Sequence, residues 1–127
     1  MNDLGRTLLE HLGYCVHPAK DGADAVKLLA QLDHVDLAFV DISLPDTRGD
    51  ILARTLLKMR PNLKILLVSG SPDALQGLPE PLGEHVLAKP YDLETLSSAI
   101  RRALILYGLH IDTRLVLTEN AIAGGQA

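Results

Sequence analysis

At 127 residues, 47% apolar and 22% charged, the chain suits one compact globular domain and is neither disordered nor membrane-spanning in composition. Twelve Lys and Arg against sixteen Asp and Glu give a net charge of −4, which excludes the basic stripe of a nucleic-acid binder. No apolar run approaches the roughly 18 residues of a membrane span.

Cys15 is the only cysteine, so an internal disulfide is excluded and a reducing, cytoplasmic setting is expected. Its apolar neighbours predict a buried, inert thiol. No apolar segment precedes a small-residue cleavage site, so secretion is not expected.

In chain order, Leu4, Leu8, Leu9 and Leu12 fall on one face of a predicted helix over 4–12, closed by Gly13. Tyr14-Cys15-Val16 reads as a short strand stopped by His17-Pro18. Asp21-Gly22 is a turn signal. Residues 23–32 form a second amphipathic helix, with Ala25, Val26, Leu29 and Leu32 inward. Leu37-Ala38-Phe39-Val40 is apolar without alternation, as a strand buried on both faces must be, and it ends on Asp41. A loop with Pro45, Asp46 and Gly49 follows. Asp50 is placed to cap a third helix over 51–59, which Pro61-Asn62 breaks.

Ile65 to Val68 is the next buried strand, ending at Ser69-Gly70. Gly77, Pro79, Pro81 and Gly83 make residues 71–84 too broken for a long regular helix. His85 to Ala88 is another strand, ending at Lys89-Pro90. Asp92 caps a long helix with Leu93, Leu96, Ile100, Ala103 and Leu104 inward, and Gly108 ends it. Residues 114–118 form a final strand, and 121–127 a fraying tail. Helices alternating with apolar strands predict an α/β fold, with helices on both faces of a parallel sheet.

In such sheets ligands sit beyond the carboxyl ends of the strands. Three predicted strands end on polar residues: Asp41, Ser69 and Lys89. Taken singly, the serine could be turn chemistry and the lysine a surface residue. Together they bring a carboxylate, a hydroxyl and an ammonium to one edge, a set suited to phosphoryl transfer with the carboxylate as nucleophile.

Asp41-Ile42-Ser43-Leu44-Pro45-Asp46 with Gly49 resembles the phosphorylation loop of two-component receiver domains. Val68-Ser69-Gly70 is similar to that family's hydroxyl-bearing switch strand, and Leu87 to Asp92 to its lysine-proline motif. The resemblance covers roughly 4–104, in the family's order. It implies a flavodoxin-like, doubly wound, five-stranded parallel sheet and Mg²⁺-dependent phosphotransfer from a sensor histidine kinase or phosphotransfer protein. By that resemblance Asp41 is the acceptor, Lys89 pairs with the phosphoryl group, Ser69 moves to bond it, and the Ser43 backbone carbonyl faces Mg²⁺. It also implies a cis Lys89–Pro90 peptide. The downstream partner is unknown; neither nucleic acid nor membrane is expected.

Two departures stand out. Receiver domains open with a strand ending in paired Mg²⁺-binding acids, whereas this sequence opens in the first helix. Arg114 to Asn120 resembles the missing strand, with Glu119-Asn120 in place of the acidic pair. The expectation is a single circularly permuted domain over 1–127. Residues 1–107 run from the first helix to the last, 112–120 supply the relocated first strand, and 121–127 form a tail. The alternatives are a dimerisation strand in a homodimer, or a disordered tail; Glu119 could equally be a solvated strand-end residue. Second, Val86 stands three residues before the lysine, where many receivers carry an aromatic switch.

The leading expectation is a stand-alone phosphorylation switch or relay, not an enzyme in the ordinary sense. Its rival is a phosphorylation-independent interaction module that keeps the fold. A small haloacid-dehalogenase-like phosphatase fits less well, since the second aspartate it needs is replaced by Ser43. The five histidines show no metal-ligand spacing.

Overall fold

The computed structural model describes residues 4–70, 73, 86–89, 91–104 and 114–118. The elements are α1 (Leu4–His11), β1 (Cys15–Ala19), α2 (Gly22–Gln31), β2 (Leu37–Asp41), α3 (Gly49–Met59), β3 (Lys64–Ser69), β4 (Val86–Ala88), α4 (Leu93–Leu104) and β5 (Arg114–Thr118). The five strands form one parallel sheet in the order β1-β5-β2-β3-β4. Among the described residues, the last strand in sequence therefore lies between the first two. Counted from β5, the order reads 2-1-3-4-5, the flavodoxin-like arrangement.

Each central strand is buried on both faces, which explains the unbroken apolar runs. Leu37 and Phe39 of β2, Leu66 and Val68 of β3, and Leu115 and Leu117 of β5 pack with Leu9 of α1 and Leu96, Ile100 and Leu104 of α4. Their neighbours Ala38, Val40, Ile65, Leu67 and Val116 face Ala25 and Leu29 of α2 and Leu52, Ala53 and Leu56 of α3. The period-two alternation of a strand thus feeds two cores, one on each face. Among the described residues no helix is long and apolar enough to cross a membrane.

The helix ends follow capping chemistry. Gly13 takes φ 100, the left-handed conformation expected just past a helix, and its N–H donates to the Glu10 carbonyl at 3.0 Å. The Asp21 carboxylate accepts from the Asp24 N–H at 2.8 Å and caps α2. Asp92 does the same for Thr95 at 2.7 Å ahead of α4.

Four local expectations are corrected. Asp50 is not the cap of α3: the helix starts two residues earlier than expected, at Gly49, and Asp50 sits in its first turn paired with Arg48 at 3.0 Å. β1 runs through His17-Pro18 to Ala19, because it is an edge strand and one of its sides needs no ladder donors. Cys15 is exposed: it is the first residue of the edge strand β1, whose buried positions are Val16 on one face and Ala19 on the other. Leu12 lies past the last turn of α1 and is 54% exposed, so it leaves the apolar face that periodicity assigned to it. The expectations for residues 74–85, the Lys89–Pro90 peptide and the tail fall outside the described residues.

Candidate functional site

Parallel strands put their carboxyl ends on one edge, so Asp41, Ser69, Lys89 and Thr118 gather there. Among the described residues, the buried polar or charged ones are Asp41, Ser69 and Thr118, 3%, 2% and 1% exposed. All three are last residues of central strands. Burying a polar group is unfavourable unless it is bonded, so such a concentration at a sheet edge marks a built site.

The Asp41 carboxylate is held at both oxygens. Oδ1 accepts the Ser43 N–H at 2.7 Å, and Oδ2 is ion-paired with the Lys89 Nζ. Lys89 is brought there by β4: its own N–H donates to the Ser69 carbonyl at 2.8 Å, one rung past the β3–β4 ladder. Its side chain is only 15% exposed, so the ammonium and the carboxylate meet away from bulk water. Ser69 follows Val68, the register partner of Asp41, so its position on β3 is one residue beyond the carboxylate.

The loop after Asp41 is drawn tight. The Ile42 N–H continues the sheet by donating to the Val68 carbonyl at 2.8 Å, and the Gly49 N–H donates to the Ile42 carbonyl at 2.8 Å. A Cβ on Gly49 would stand 2.3 Å from the Asp41 carbonyl oxygen and 2.7 Å from the Ile42 Cα, so only glycine allows the loop to return this closely. Between these points Asp46 reaches across to α2, accepting the Gly22 and Ala23 N–H groups at 2.9 and 3.0 Å. Those bonds to the helix start hold its carboxyl below the usual aspartate range, against a smaller opposing effect of desolvation.

Tyr91, two residues beyond Lys89, tilts against Phe39 with ring centroids 6.1 Å apart. Burial pushes its phenol well above the usual tyrosine value, and the nearby Asp41 charge pushes it further the same way. Val86 is 41% exposed on β4, the edge strand.

Asp41, Lys89 and Ser69 are thus brought to one edge, with the Ser43 main chain against the carboxylate. Glu119 and Asn120 lie outside the described residues; they follow directly on Thr118. Sequence reasoning missed Thr118 and Asp46. The Thr118 Oγ1 accepts the Asp41 N–H at 3.0 Å and donates to the Phe39 carbonyl at 3.5 Å. An alcohol closing an otherwise apolar strand was the available signal for Thr118. Asp46 gave none, because a loop aspartate reads equally as a turn former.

Mg²⁺ takes hard oxygen donors, binds through one or two carboxylates and keeps several waters. Among the described residues no three His, Cys, Asp or Glu side chains gather into a cage. A carboxylate at Asp41 and a main-chain carbonyl two residues on are nevertheless the donor chemistry that such a sparsely ligated ion needs, so the residues present fit it.

A parallel sheet in the order β1-β5-β2-β3-β4, with an aspartate-lysine pair and buried hydroxyls at its carboxyl edge, is a flavodoxin-like architecture whose ligands sit beyond the strand ends. The chain matches the response regulator receiver domain model over residues 1–101 and belongs to that family, whose members act in two-component signalling. It is 34% identical over 113 residues to the response regulator receiver protein CpdR of Brucella abortus, covering 82% of this chain and 90% of CpdR. It is 33% identical over 103 residues to the sensor kinase CckA of the same organism, covering 79% of this chain but only 11% of CckA. A CheY-like receiver domain from Methanospirillum hungatei superposes with a TM-score of 0.71 at 28% identity, covering 82% of this chain and 84% of that one. Receiver domains are signalling switches, and aspartyl phosphorylation with Mg²⁺ binding is typical of them.

Proposed function

We propose that this chain is a phosphorylation switch or relay whose acceptor is Asp41. The observation that carries the reading is the buried Asp41 carboxylate, held by Lys89 on one oxygen and by the Ser43 N–H on the other. Such a group is a nucleophile oriented before its donor arrives. A carboxylate oxygen forms the new O–P bond as the donor's P–N bond breaks, the electron pair staying on the phosphohistidine nitrogen. Lys89 balances charge on the transferring group, and Ser69 supplies a hydroxyl to a phosphoryl oxygen. Asp41, the Ser43 carbonyl and Glu119 or Asn120 would hold Mg²⁺, which when bound neutralises charge on the phosphoryl oxygens.

The donor in this reading is a sensor kinase or phosphotransfer protein. Support comes from relatives named as a sensor kinase and as a receiver protein. The chain works as a single domain over 1–127 and passes its signal through a partner protein. It is a circular permutant, with β5 as the family's first strand; support is the position of β5 between β1 and β2, parallel to both.

The test is incubation with acetyl phosphate and Mg²⁺ followed by intact mass. One added phosphate is expected, and none on Asp41→Asn. Failure to acquire phosphate from this donor and from candidate kinases would favour a phosphorylation-independent interaction module, for which the exposed Val86 at the usual aromatic-switch position is the observation in favour.

A further inference from the structure

β5 meets β2 through an ordinary parallel ladder over three rungs, Leu37 with Leu115, Ala38 with Val116 and Phe39 with Leu117. At both ends a side-chain oxygen takes an amide that the ladder leaves over. At the amino end, the Asp36 Oδ2 accepts the Arg114 N–H at 2.8 Å, while the Asp36 N–H donates to the Arg114 carbonyl at 2.9 Å. At the carboxyl end, the Thr118 Oγ1 accepts the Asp41 N–H and returns its own proton toward the Phe39 carbonyl. Thr118 is 1% exposed and Asp41 3%, so water has no ready access to replace the hydroxyl.

The geometry points to Thr118 as a positioning residue for the phosphorylation of Asp41, with Asp36 as the register pin that delivers it. This inference rests on the reading of Asp41 as the acceptor. Three contacts then fix the nucleophile: the Ser43 N–H and the Lys89 ammonium hold the carboxylate, and Thr118 holds the main chain from which that carboxylate projects. Thr118 touches no reacting atom. Its hydroxyl sets where the Asp41 Cα sits, and a displacement of the order of an ångström at a nucleophile is enough to slow transfer severely. Register matters because side chains alternate with a period of two: a one-residue slip of β5 would turn the Thr118 hydroxyl away and put Leu117 in its place.

The consequence is specific to this chain order. The strand that orients the acceptor is the last of the described strands in sequence, so the Asp41 amide of β2 finds its partner 77 residues further on.

Thr118→Val keeps the branched shape and removes the hydroxyl; Thr118→Ser keeps the hydroxyl and removes a methyl. Phosphorylation by acetyl phosphate with Mg²⁺ is followed by intact mass in both variants and wild type, below each thermal midpoint. Backbone amide exchange of Asp41 is measured by NMR alongside. The expectation is a rate for Thr118→Val lower by roughly ten- to a hundredfold. The Asp41 amide should lose protection in that variant while Leu66 and Leu67 of β3 keep theirs, and Thr118→Ser should restore both readouts.

A Thr118→Val protein that is phosphorylated at the wild-type rate overturns the proposal, and so does a Thr118→Ser protein as slow as the valine variant. If the valine variant fails to fold, wild type still decides: rapid exchange of the Asp41 amide there would show that Thr118 does not hold it. A wild-type protein that takes no phosphate at all sinks the reading of Asp41 itself, a result distinct from any of these.

Discussion

Asp41 and Lys89 form an ion pair in which neither partner has much water to fall back on, their side chains being 4% and 15% exposed. Removing one member of such a pair leaves a charge buried without its counter-charge, which is far worse than never having the pair. Lys89→Met is therefore expected to lower stability by about 3 to 5 kcal/mol. Adding Asp41→Asn to that variant should recover part of the loss, because the orphaned charge goes with it. Denaturant unfolding of the two single variants and the double variant measures the coupling. Additive losses would show that the pair is not a buried, coupled one.

The same residue scale shows what the sequence could reveal. Asp41, Ser69 and Lys89 were legible because each stands at the end of an apolar run, and a parallel sheet has one edge for all such ends. Thr118 and Asp46 were not, because their roles are hydrogen bonds to amides 77 and 24 residues away. No local pattern encodes a partner at that separation. The exposure of Cys15 was missed for a related reason: an edge strand and a central strand look alike over three residues.

At the scale of elements, two helices begin on carboxylates that the fold keeps ionised. Asp46 bonds the first amides of α2, and Asp92 bonds Thr95 at the start of α4, its carboxyl held below the usual range by the Thr95 side chain and amide. A carboxyl with a lowered pKa in the folded state stabilises above its unfolded value. That contribution is lost as pH falls from the ordinary 3.8 through the lowered value. Thermal midpoints should therefore drop on acidification across that interval. Asp46→Asn and Asp92→Asn should each flatten the drop, and profiles parallel to wild type would contradict it.

The loop that follows Asp41 is sensitive to a single Cβ. Gly49 starts α3 with its Cα against the Asp41 carbonyl, where any Cβ would overlap main chain. Gly49→Ala is expected to destabilise by about 1 to 3 kcal/mol and to slow phosphorylation of Asp41 in the same protein. A stable variant with unchanged phosphorylation would mean that the loop has room that these distances deny. The closeness also explains why α3 starts at Gly49 rather than after Asp50: the tight return of the loop draws the helix start back, a tertiary effect on a local signal.

At the scale of the whole molecule, the chain order and the spatial order disagree in one place. β5 is the last of the described strands in sequence and lies in the interior of the sheet, with Leu115, Val116 and Leu117 buried in both cores. Its burial was legible from the apolar run at 114–118. The side-chain bonds that fix its register were not. Without β5 the facing edges of β1 and β2 would lose their ladder partners, and buried backbone groups without partners are costly. Deleting residues 112–127 should therefore abolish cooperative unfolding. Joining 112–120 ahead of residue 1 through a flexible linker, with 121–127 removed, should keep it. A truncated chain that melts cooperatively at the wild-type temperature would contradict this.

Whether Asp41 carries the phosphoryl group can be read at the residue itself. An acyl phosphate on aspartate is reduced by borohydride to homoserine, so protein treated with acetyl phosphate and Mg²⁺, then borohydride, and mapped by peptide mass should show homoserine at position 41 and nowhere else. An unconverted Asp41, or conversion at another aspartate, would show that Asp41 is not the acceptor.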